Sequence, residues 1–194
     1  MNHQPLHSFF TSSGLVSQAK AEEMSVFFDF TEYHKSAYLL KEGAVCDTYL
    51  FLQSGFMRSF AHDTDGKEIT TNFYSPGSVV FEVSSFFQRN RSKENIIALA
   101  DCTGWQISYE GLNRLFHEIP EFREFGRSIL VRNLAQLKTR MLSMITETAE
   151  ERYTQLVDRQ PEVFRFAALK DIATYLGVTD TSLSRIRREL SSSA

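Results

Sequence analysis

Two textures of apolar and polar positions divide the chain. Across residues 36–108, short apolar or alternating runs (37–40, 48–53, 56–61, 68–74, 79–81, 96–100 and 104–108) are separated by turn residues. The breaks fall at Glu42-Gly43, Ser54-Gly55, Asp65-Gly66, Pro76-Gly77 and Asp101. Runs of this length bounded by such residues predict strands. Asp63-Thr64-Asp65-Gly66-Lys67 between two alternating runs predicts a hairpin, because Gly supplies the positive φ of a tight turn. No helix-length segment intervenes between Ala37 and Val80, which argues against a parallel α/β sheet and for an all-β sandwich or roll. Ahead of it, Ala21, Met24, Phe27 and Phe28 recur at helical spacing and predict a helix over 18–30.

After Ser108 the periodicity is helical to the end. Pro120 suits the first turn of a long helix reaching about Thr146. Within it Leu130, Leu134, Leu137, Met141 and Met144 recur at steps of four and three, the spacing of a coiled-coil seam. Phe122, Phe125 and Ile129 begin a second stripe slightly out of phase. With the basic flank of Arg127, Arg132, Lys138 and Arg140, the seam predicts a two-fold dimer interface. A helix packed wholly on its own β-domain is the alternative. Thr148-Ala149-Glu150-Glu151 has the form of a capping box, so a new helix starts there and a hinge is expected at 146–148. That helix runs through 154–158 and stops before Pro161.

The segment LKDIATYLGVTDTSLSRIRREL, residues 169–190, meets each requirement of a helix-turn-helix. Ile172 and Leu176 supply the buried face of the first helix, and Ala173 allows the second to cross closely. Gly177 takes the turn, Val178 fills the corner and Thr179 caps the second helix, which buries Leu183, Ile186 and Leu190. The outer face then holds Asp180, Thr181, Ser182, Ser184, Arg185, Arg187 and Arg188, which together with Thr179 are expected to contact DNA. Hydroxyls and helix-end amides can hold phosphate, and an arginine fork matches guanine O6 and N7 in a major groove. The expected base reader is Arg185, with Thr181 and Ser182 as base or phosphate contacts and Arg187, Arg188 and Lys170 as phosphate contacts. An ordinary solvated helix face is the alternative.

Composition narrows this picture. In 194 residues, 42% are hydrophobic and 13% aromatic, including 17 Phe, ample for a core. The net charge is −3. Any contact with nucleic acid must therefore come from a local basic patch. No apolar run is long enough to span a bilayer, and the first ten residues lack a secretory pattern, so a cytoplasmic protein is expected. Cys46 and Cys102 read as free thiols and cannot supply a four-cysteine cluster. His3, His7, His34, His62 and His117 show no metal-ligand spacing. Neither a catalytic triad nor paired carboxylates stand out, so a metal site and an enzyme activity are not expected.

With these landmarks in place, the chain resembles the Crp/Fnr superfamily of transcription regulators, and most of all its short Bacteroidetes-type members. The resemblance rests on Gly43, Gly55, Asp65-Gly66-Lys67-Glu68 and Pro76-Gly77, on TAEERY at 148–153, and on the terminal GVTDTSLSRIRREL. It implies an α+β architecture: a cyclic-nucleotide-binding-like, jelly-roll-type β-roll sensor over 1–118, a dimerisation helix over 119–146, and a winged-helix-like helix-turn-helix domain over 147–194. Little chain follows Leu190, so any wing is expected to be short or upstream. The resemblance also implies a bacterial homodimer on an inverted-repeat site in double-stranded DNA, with RNA polymerase as a further partner. In such proteins the residue matching Arg185 reads a base. Their phosphate cassette pairs Gly-Glu with Arg-Ser about ten residues on. Here Phe81-Glu82 is followed by Arg91-Ser92, one residue short, and a ring replaces the glycine that admits the phosphate. Glu82, Arg91 and Ser92 are thus the candidate effector pocket, with an unidentified small molecule rather than a cyclic nucleotide as effector. A loop serving structure alone is the other reading of these residues. A ligand-binding or interaction module of the same fold without specific DNA binding stays open as the alternative function.

Overall fold

A computed structural model describes residues 3–192 of the chain. The chain opens with two short helices, α1 (Gln4–Thr11) and α2 (Gln18–Ser25), then β1 (Asp29–Tyr33), β2 (Tyr38–Leu40), β3 (Thr48–Ser54), β4 (Met57–His62), β5 (Glu68–Tyr74) and β6 (Val79–Val80). There follow α3 (Val83–Gln88), β7 (Asn95–Ala98), β8 (Cys102–Ser108), α4 (Tyr109–Glu118) and the long α5 (Pro120–Thr146). The last four helices are α6 (Ala149–Arg159), α7 (Val163–Phe166), α8 (Leu169–Tyr175) and α9 (Asp180–Ser192).

The strands form two four-stranded sheets, ordered β1-β8-β3-β6 and β2-β7-β4-β5. Every pairing between them is antiparallel. The expected strands all form, and the predicted hairpin closes with Asp63 Oδ1 accepting from the amides of Asp65 and Lys67. One expectation is corrected. The helix predicted over 18–30 ends at Ser25, and Asp29–Tyr33 is a strand pairing with β8, Phe30 opposite Trp105.

The core has two parts. The larger fills the roll and takes in α1, α2, α4 and the start of α5, with Phe10, Leu50, Leu52, Trp105, Phe122 and Phe125 buried. The α4–α5 crossing is close because residue 126 is glycine: a Cβ there would stand 2.7 Å from Phe116 Cε1. Phe122, Phe125, Gly126 and Ile129 are buried, and past them the apolar seam of α5 is exposed. The smaller core joins the C-terminal helices (Leu156, Val163, Ile172, Ala173, Leu176, Leu183) to Phe56 and Phe73 of the roll. The C-terminal helices are therefore docked on the outer face of the β4–β5 sheet.

The break between α5 and α6 falls where expected. Pro120 opens α5, and the capping box closes with the Thr148 amide donating to Glu151 at 2.7 Å and the Glu151 amide to Thr148 Oγ1 at 3.2 Å. Among the described residues no strand follows Ser108, so the C-terminal domain resembles a winged helix in its helices and not in a wing. No described helix is long and apolar enough to cross a membrane.

Candidate nucleic-acid interface

The helix-turn-helix is α8, a turn at 176–179, and α9. Ile172, Ala173, Leu176, Leu183 and Ile186 are buried as the pattern requires, and Leu190 is half-buried. Gly177 has φ +68°. Thr179 is the cap: its Oγ1 accepts the Ser182 amide at 3.2 Å and lies 3.0 Å from Ser182 Oγ. Both hydroxyls, counted among the expected DNA contacts, are thus already tied to each other and to the helix start.

At about 100° per residue, the predicted contacts sort by face. Thr181, Ser184, Arg185 and Arg188 share the side opposite the buried Leu183 and Ile186, and with Ser182 they line one open depression. Asp180 and Arg187 are exposed on one flank, and Ser182 lies on the other, towards Lys67 of the roll hairpin. Lys170 is exposed in the first turn of α8 and lines neither surface. Arg185 Nε stands 3.9 Å from Glu189 Oε1, both side chains exposed. Such a pair is worth under about 1 kcal/mol and is readily exchanged for a stronger acceptor.

The back of this unit is held by arginines that the sequence pattern did not single out for this role. Arg140 of α5, expected on a basic flank, donates to the carbonyls of Thr71 and Tyr175 and lies 4.0 Å from the Tyr175 ring centroid. Arg152 of α6 donates to the Leu176 carbonyl at 2.9 Å and to the Glu147 carbonyl at 2.6 Å. Arg58 of β4, buried in an apolar run, pairs with Asp171 of α8 at 3.1 Å. Burial pushes the Asp171 carboxyl up, and the charge of Arg58 works against that rise.

The seam residues Leu130, Leu134, Leu137, Met141 and Met144 are all exposed on α5, Leu134 by 66%. Ile145 widens the stripe at 74% exposed. Met144 also meets its own chain, its methyl lying over Gly177.

The cassette does not fit a cyclic nucleotide. Glu82 caps α3, its carboxylate accepting the amides of Ser84 at 2.9 Å and Ser85 at 2.6 Å. Phe81 is buried against Tyr49 and Phe86, where an approaching phosphate would need open backbone. The Arg91 side chain is exposed, and its backbone forms a bridge to Val45. Arg89 is turned to Asp47 (2.7 Å), the Cys46 carbonyl and the face of Tyr109. The buried Ser92 hydroxyl bonds within its own turn, to Glu94. Carboxylates, Glu94 and Glu82, instead lie within electrostatic reach of each other and of half-buried Tyr74. Burial pushes the Glu94 carboxyl up, with a Thr71 hydrogen bond acting in the opposite direction.

Residues 30–118 match the model of the cyclic nucleotide-binding domain. The transcriptional activator protein Anr of Pseudomonas protegens is 24% identical over 78% of this chain, which spans 66% of that relative's length. FixK2 from Bradyrhizobium japonicum superposes with a TM-score of 0.70 at 19% identity, covering 86% of this chain and 85% of that one. A Crp/Fnr family regulator from Eubacterium rectale reaches 0.72 at 14% identity, covering 96% and 88%. Roll, long helix and helix-turn-helix occur here in that order, so the chain carries a cyclic nucleotide-binding domain fold over residues 30–118 and shares the overall fold of these regulators.

Proposed function

We propose that the chain is a sequence-specific DNA-binding transcription regulator, acting as a homodimer joined along the α5 seam. The division is a sensor over 1–118, a dimer helix over 119–146 and a DNA-binding domain over 147–194. The observation that carries this reading is the outward face of α9. Thr181, Ser184, Arg185 and Arg188 lie together on it, while the opposite side of the helix-turn-helix is buried. Arg185 reads a base, Arg188 and the helix start hold phosphate, and Arg187 and Lys170 touch the backbone from the flanks. We infer RNA polymerase as a further partner.

In the roll we infer a small effector other than a cyclic nucleotide, since the cassette's polar groups already have partners. Effector state biases α5 and the hinge at 146–148, and so sets the separation of two recognition helices.

The test is selection of genomic fragments by the purified protein at two salt concentrations. The expected result is enrichment of inverted repeats with half-sites about 10–10.5 bp apart, and affinity that falls as salt rises. Uniform weak binding to all fragments overturns it in favour of an interaction module of the same fold.

A further inference from the structure

We propose that Arg58 and Asp171 are positioning residues for DNA binding: they set the angle at which the recognition helix stands on the sensor. This rests on the DNA-binding reading above. Arg58 Nη1 lies 2.9 Å from Glu68 and 3.1 Å from Asp171, and the Arg58 side chain is only 5% exposed. Its Nε donates to Thr70 Oγ1 at 2.9 Å and its guanidinium covers the Phe60 ring at 4.5 Å. Among the described residues its Nη2 has no hydrogen-bond partner. A charge removed from water this far needs its counter-charges. One of them belongs to the roll and the other to α8, so full pairing exists only with the helix-turn-helix docked in this orientation.

Direction comes from the polar groups. Phe73 against Tyr175 and Phe56 stacked on Phe166 at 5.2 Å bind the two units with little preference for rotation, since apolar contact is non-directional. The pair Arg58–Asp171, the Thr70 amide on Thr174 Oγ1 at 3.1 Å and Arg140 on the Tyr175 carbonyl at 3.2 Å are three directional contacts on one helix. Together they determine the orientation of α8. Since α8 shares one core with α9 through Ile172, Ala173 and Leu183, fixing α8 fixes α9. The contact positions and does not block, because the face with Arg185 and Arg188 points away from it. A symmetric dimer reads two half-sites about one helical turn apart, so a loose α8 loosens the accepted spacing before it weakens either half-site.

The experiment uses the full-length protein and a set of inverted repeats whose half-sites, taken from the selection above, are moved apart in single-base-pair steps. The wild type binds one spacing best. In Asp171→Asn, and separately in the milder Thr174→Val, that preference falls by about fivefold or more, while binding to a single half-site keeps its wild-type affinity. A spacing profile that superimposes on the wild type in both variants overturns the inference. So does a parallel fall in single half-site binding, which reports damage to the reading domain itself. A wild type indifferent to every repeat removes the DNA reading, and this inference with it.

Discussion

Gly177 and Met144 meet where the helix-turn-helix touches α5: a Cβ on residue 177 would stand 2.5 Å from the Met144 methyl. The methyl ends a flexible side chain and can move away. The backbone at φ +68° cannot be relieved that way. Gly177→Ala should therefore cost about 1–2 kcal/mol, the penalty of a left-handed L-residue. Adding Met144→Ala should recover little of it. Thermal melts of the single and double variants check this, and full recovery in the double variant would assign the cost to the methyl contact instead.

Arg185→Ala should relax preference at one base position by about 1–3 kcal/mol. Arg188→Ala should weaken binding evenly across sequences and flatten its salt dependence by about one phosphate contact. Binding-site selection with each variant reads both effects. An unchanged sequence profile for Arg185→Ala would count against its role as base reader.

How much of this was legible in the sequence follows from how local each signal is. Gly177, Thr179 and the apolar positions of α8 and α9 define one another within one short segment, so the motif could be read residue by residue. The hairpin at Asp63–Lys67 and the Thr148–Glu151 box are local in the same sense. Strand β1 was hidden because Phe27 and Phe28 continue the helical spacing of Met24, while its order comes from Trp105 across the sheet. Arg58 in an apolar run carried no sign of its partner, because Asp171 lies in the far domain. Glu82 was marked by its motif as a ligand group, and only the folded loop shows it capping α3.

The seam offers a test that leaves the fold intact. Leu134 and Leu137 are 66% and 62% exposed, so the protomer gains little from them. Leu134→Glu with Leu137→Glu should leave the melting of the isolated protomer near that of the wild type. In a two-fold dimer each copy brings the same charges, and opposed carboxylates cost several kcal/mol, weakening association by about a hundredfold or more. Sedimentation equilibrium checks this. An unchanged dimer would place the interface elsewhere.

Cyclic AMP and cyclic GMP should leave the melting curve unmoved. A ligand present at 100 times its dissociation constant adds about 2.7 kcal/mol to the folded state, a shift easily read. Glu82→Ala should instead lower stability without any ligand, by about 1 kcal/mol for the lost cap. A nucleotide-dependent shift in the wild type that vanishes in Glu82→Ala would restore the nucleotide reading.

Glu94 gives the chain a pH signature whose sign follows from burial. Its folded-state carboxyl is raised above the ordinary value of 4.5 by desolvation, with Glu82 adding to the rise and Thr71 and Arg140 opposing it. A raised carboxyl favours the folded state in its neutral form. That contribution is fully present below the unfolded value and is lost as pH rises through the folded one. Glu94→Gln stays neutral throughout and retains an oxygen for the Thr71 hydroxyl. The variant should match the wild type near pH 4 and melt higher at pH 7. Melts across that window decide it: a variant less stable at pH 7 would mean that the Glu94 charge, held by Arg140, is favourable in the folded protein.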